Sequence, residues 1–99
     1  MNQNIINRKQ HLLICLMEEC AEVQQACSKA LRFGIDDKFE DQPTPHDQIN
    51  LELNDLFTII NMLKEEDIAT DYGNIFDIHD KQDRVEHYMQ YAIDRGLLE

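Results

Sequence analysis

The stretch LMEECAEVQQACSKALRFG, residues 16–34, decides the fold. Leu16, Glu19, Val23, Ala26, Ala30 and Phe33 recur at steps of three and four, the spacing of one helix face, and Leu12 extends the stripe upstream. Asn7 can cap this helix, Gln10 stands where a capping-box partner belongs, and Gly34 supplies a stop. The spacing therefore predicts a helix from about Arg8 to Phe33. That length suits a bundle spine or a helix shared within an oligomer. Glu19 is the one acid on the stripe, and it belongs to the run Glu18-Glu19-Cys20-Ala21-Glu22.

A second helix starts sharply, with Thr44 as its cap, Pro45 at the first helical position and Asp47 at the third. Ile49, Leu53, Leu56, Ile60 and Leu63 form its stripe, and Glu52, Asp55, Ile59 and Met62 lie on the adjoining flank. It should fade near Glu66. Residues 35–43 between the helices are acidic and irregular, with Phe39 as the main apolar body. Residues 67–77 read as a connector holding Tyr72, Gly73 and Asn74. A third helix is expected from Ile78 to Arg95, capped by Asp77, with Asp80 an early acid and Gly96 past its end. Val85, Tyr88, Met89 and Ala92 give it an apolar face. There is no strand pattern and no solenoid-length repeat. The expectation is an all-α antiparallel helical bundle in a single domain, 1–99. So short a chain buries little surface, so a dimer or tetramer should complete the core.

Twenty acids against 9 bases give a formal net charge of -11. That field disfavours a nucleic-acid polymer, whose phosphates need concentrated Lys and Arg, but it admits a free nucleotide bridged by metal. No apolar run approaches the length of a membrane span, and the polar first residues do not form a secretory segment. The cysteines at 15, 20 and 27 have no C-x-x-C spacing. They read as core or near-core thiols of a reducing, cytoplasmic compartment. The 3 glycines are isolated, so there is no glycine-rich phosphate loop.

The chemistry lies in two acidic pairs, Glu19/Glu22 and Glu52/Asp55. Residues three apart share a helix face, and here that face borders the apolar stripe. One such pair is common on solvated helices. Two pairs, each mid-helix and separated by a helix-stopping loop, can meet at similar depth if the helices run antiparallel. Four converging carboxylates repel unless a cation sits among them, and hard oxygen donors suit Mg²⁺.

The order E-E-x-x-E then E-x-x-D resembles the all-α nucleoside triphosphate pyrophosphohydrolases of the MazG-like superfamily, compact single-domain type. LMEECAEVQQACSKALRFG and LELNDLFTIINML (residues 51–63) carry the likeness, and KQDRVEHYMQYAIDRGLL (residues 81–98) resembles the closing helix. The resemblance implies Mg²⁺, with Mn²⁺ as a substitute, bound by Glu19, Glu22, Glu52 and Asp55. Glu18 matches the leading acid, which can orient a water or support a ligand. It further implies an enzyme that hydrolyses nucleoside triphosphates between the α and β phosphates, giving monophosphate and pyrophosphate, and that works as a homodimer or homotetramer.

Lys29, Arg32, Lys81 and Arg84 are candidate phosphate contacts, each weighed against solvated surface charge. Asn61 could read a base or ribose edge, and Phe39 or Tyr72 could stack on a base. Phe33, on the stripe, reads as packing. The four histidines are dispersed and none is assigned to metal, and the thiols lack a sequence-local base. The competing reading is a catalytically silent helical interaction domain or a regulatory nucleotide-binding module.

Overall fold

The computed structural model describes residues 5–70 and 75–99. It contains three α-helices and, among the described residues, no strand: α1 is Arg8–Phe33, α2 is Pro45–Glu65 and α3 is Ile75–Asp94. The chain divides into two compact units, Met1–Ala69 and Thr70–Glu99.

The first unit is a hairpin of α1 and α2, and its helix ends are set by side-chain chemistry. Asn7 Oδ1 accepts from the Gln10 backbone N–H at 2.8 Å, and Gln10 Oε1 accepts from the Asn7 N–H at 2.9 Å. This reciprocal box satisfies two donors that the helix leaves open. Gly34 ends α1 at φ 101, a left-handed conformation that costs a side-chain-bearing residue, and its N–H reaches the Ala30 carbonyl at 2.9 Å. Thr44 Oγ1 accepts from Asp47 N–H at 3.1 Å, and the buried ring of Pro45 occupies the first helical position, where no N–H is needed.

The antiparallel pairing is tied at both ends. The Arg8 guanidinium meets Glu66 at 2.8 Å across 58 residues, and the His46 N–H donates to the Ile35 carbonyl at 2.9 Å. The ion pair is exposed on its arginine side, so it contributes about 0.2–1 kcal/mol at most. The apolar stripes do more. Leu12, Ala26 and Leu63 are fully buried, and Leu16, Val23, Ala30, Ile49, Leu53, Leu56 and Ile60 are half-buried between the helices. Leu12 and Leu63 close one end of the hairpin, Ala26 and Pro45 the other, and the acidic motifs lie between them.

Several sequence expectations are corrected. Phe33 is 60% exposed, not packed: its face at the last residue of α1 lines an open cavity. Cys20 and Cys27 are exposed and Cys15 half-buried, since their positions fall off the stripe centre. Helix α3 begins three residues earlier than expected: residues 75–77 carry no proline or glycine, so the helix runs through them. Asp77 is thus a first-turn acid facing the positive end of the helix dipole, not a cap. Val85, Tyr88 and Met89 on α3 are exposed. Tyr72, Gly73 and Asn74 lie outside the described residues.

Candidate metal centre

Glu19 and Glu22 project from the middle of α1, and Glu52 and Asp55 from the middle of α2. Each residue of a pair is nearly one helical turn from its mate, so both pairs face the helix interface. The antiparallel hairpin brings them to one level: one carboxylate oxygen from each of the four residues lies within 4.8 Å of the others. Glu19 and Glu52 are half-buried, and Glu22 and Asp55 stand at the open side.

The arrangement is unsatisfied within the protein. Glu19 Oε2 and Glu52 Oε2 are buried without a hydrogen-bond partner. A buried carboxylate oxygen without a donor costs on the order of 1–3 kcal/mol or more. Glu52 has one protein donor, the Gln48 side-chain amide one turn earlier, which bonds its other oxygen. A set of carboxylate oxygens half sunk between two helices, two of them buried without a partner, fits a hard divalent cation. The cluster is thus able to hold such an ion.

Electrostatics point the same way. The Glu22 carboxyl is pushed up to about 7, first by its hydrogen bond with Glu52, then by the charges of Glu19 and Glu52, with smaller contributions from desolvation and from a bond with Glu19. The cluster therefore keeps a proton where four free carboxyls would all be ionised. The sign of the linkage follows. Folding raises this acid above its ordinary 4.5, so between pH 4.5 and about 7 the folded form binds more protons than the unfolded chain. Stability of the metal-free protein should fall as pH rises through that window and level off above it. Divalent affinity should rise through the same window, because the ion displaces the proton. Thermal melts in chelator at pH 5 and pH 8, with Glu22→Gln for comparison, check this. The variant should lack the part of the slope that wild type owes to this proton, and identical slopes in both would count against the shared proton.

The other candidate residues are placed as follows. Glu18 is exposed and is not among the four converging acids. Lys29, two turns beyond Glu22, and Phe39 line a common cavity of about 380 Å³, with Phe33, Asp37 and Gln48 also on its wall. Arg32 points its guanidinium over the Phe33 ring, 5.0 Å from the centroid. Asn61 is exposed on α2. Lys81 and Arg84 lie on α3, in the second unit, along a shallow cleft with Val85, Tyr88 and Met89.

Three features were missed from sequence. Gln48 sits four residues before Glu52, a spacing that could have signalled their bond. Asp37 joins the cavity through a loop conformation with no sequence signal. Cys15 does have a local base, for His11 Nε2 stands 3.5 Å from its Sγ. No family model, curated protein or solved structure matches the chain. Among the described residues, no helix is long and apolar enough to cross a membrane.

Proposed function

We propose that the chain is a Mg²⁺-dependent nucleoside triphosphate pyrophosphohydrolase of the MazG-like kind. The observation that supports this most is the convergence of Glu19, Glu22, Glu52 and Asp55 from two antiparallel helices, with two buried oxygens lacking partners. The order of the acidic motifs adds the resemblance on which the specific chemistry rests.

In this reading the four carboxylates hold Mg²⁺, or Mn²⁺ in its place. The bound ion supplies neutralisation of phosphate charge and a more acidic water. The protein's own residues do the positioning. Two packed helices keep the carboxylates in register, so little reorganisation is needed when substrate arrives. Glu22 would hold the ion as an anion, releasing to solvent the proton that Glu52 and Glu19 help it keep in the metal-free protein. Gln48 orients Glu52 from behind. Lys29, which has no carboxylate partner among the described residues, is available to phosphate oxygens. Phosphoanhydride cleavage needs this positioning and charge balance more than covalent help.

Attack of water on the α phosphorus gives a nucleoside monophosphate and pyrophosphate. A screen of canonical and modified triphosphates with Mg²⁺, reading both products, tests the proposal. Diphosphate plus orthophosphate would indicate attack at the γ position and end the family reading. No release across the panel, in a folded protein that binds the ion, would favour the silent interaction domain. We further propose that copies of the chain associate: Met17, Leu31 and Phe76 are 70%, 88% and 74% exposed, and the buried core is small. Sedimentation at micromolar protein should show no dominant monomer.

A further inference from the structure

His11 and Cys15 lie one turn apart on α1, and neither belongs to the acid cluster. The Cys15 Sγ stands 3.5 Å from the His11 Nε2. A spacing of four residues puts both side chains on one helix face, the arrangement by which two helix residues grip one ion. Tetrahedral zinc holds sulfur at ~2.3 Å and imidazole nitrogen at ~2.0–2.1 Å, which sets two such ligand atoms about 3.5–3.6 Å apart. The pair therefore has the bite of a chelate before an ion arrives. His11 is exposed and Cys15 half-buried, so an ion can reach both from solvent. Leu12, next to His11, is fully buried in the hairpin and holds this turn of α1 in place. Cys20 and Cys27 have no histidine three or four residues away on either side.

We propose that His11 and Cys15 form a second metal site, for a borderline-soft divalent cation, Zn²⁺ foremost. The donor types separate it from the four carboxylates. Thiolate and imidazole favour zinc, whereas a set of oxygens suits magnesium. Among the described residues no third His, Cys, Asp or Glu joins the pair, so water completes the tetrahedron. The thiol proton leaves to solvent as the sulfur–metal bond forms, and the imidazole binds neutral through Nε2. The site does not depend on the nucleotide reading of the acids, and its test is read without turnover.

Co²⁺, which takes the same ligands and absorbs light, is titrated into the full chain with excess Mg²⁺ present to occupy the carboxylates. A sulfur-to-cobalt charge-transfer band in the near ultraviolet should saturate with a dissociation constant on the order of 1–100 µM, as two ligands in place of four imply. Zn²⁺ should displace it. Cys15→Ser should remove the band, and His11→Ala should weaken binding by at least about 10-fold. Cys20→Ser, Cys27→Ser and Glu22→Gln should leave it unchanged. Circular dichroism checks that the variants keep their helix content. A second measurement needs no substitution: Zn²⁺ should slow alkylation of Cys15 by iodoacetamide, read by peptide mass mapping, and not that of Cys20 or Cys27. A band that survives Cys15→Ser, or that loses nothing in His11→Ala, would overturn the inference. So would the absence of a saturable band, or zinc protection that does not single out Cys15.

Discussion

Glu22→Gln is expected to lower divalent-dependent turnover by at least about 100-fold while raising the melting temperature of the metal-free protein. The two effects share one cause. The Glu22 carboxyl is held up to about 7 by Glu52 and Glu19, so in the absence of an ion its negative form is the disfavoured one. Glutamine keeps the shape and helix propensity and never ionises, which relieves the cluster. The same neutrality removes a ligand. Losing a group that merely orients a ligand costs ~10–100-fold in affinity or activity, so losing the ligand itself should cost more. Asp55→Asn should fall as far in activity. Product release, calorimetric titration with Mg²⁺ and thermal melts in chelator on the same preparations give all three readings. A folded Glu22→Gln protein with wild-type turnover would place the metal chemistry on other residues.

The second large effect concerns the hairpin itself. Leu63→Ala should cost about 2–5 kcal/mol, the range for emptying a buried leucine site. Leu63 is 2% exposed, and among the described residues only Leu12, Ala26 and Pro45 are buried with it. Its carbonyl also accepts the N–H groups of Ile68 and Ala69, at 2.9 and 3.3 Å, so the end of α2 is folded back over it. Against a typical total of ~5–15 kcal/mol, that loss removes a large share of the stability. Ser28→Ala, on an exposed part of α1, should stay within about 0.5 kcal/mol. Urea unfolding of the three proteins measures this. A Leu63→Ala midpoint matching that of Ser28→Ala would show that the core lies elsewhere.

Where the sequence was legible, local chemistry and tertiary structure agreed. Asn7 with Gln10, Gly34, and Thr44 with Pro45 mark the ends of α1 and α2 because capping is local and residue-specific. The meeting of the two acidic pairs was legible because periodicity puts each pair on the interface and the loop turns the chain back. The start of α3 was not: Asp77 is as good a first-turn acid as it is a cap, and spacing does not choose between them. The aromatic cavity was hidden for a different reason. It depends on the path of residues 35–43, where Glu40 takes a φ of 51 and Lys38 Nζ donates to the Gln42 carbonyl at 2.7 Å. Such a path is chosen by contacts among residues that carry no periodic pattern. Phe33 was misread because periodicity marks the face a residue occupies, not whether that face is filled; here it borders a cavity.

The layer of carboxylates between the two apolar ends of the hairpin also acts as an alignment key. Antiparallel helices with aliphatic stripes can slide by a turn and still bury leucine against leucine. Here a slide of one turn would set Glu19 and Glu22 against neighbours such as Gln48 or Ile59 in place of Glu52 and Asp55, and half-buried charges would face amide or hydrocarbon. A cation shared by all four acids is compatible with one alignment of the pair, so filling the site would select that alignment over its slipped alternatives. Loading with ion would then narrow the set of pairings the two helices sample, and the precision of the hairpin would come from the same residues that weaken it when the ion is withheld.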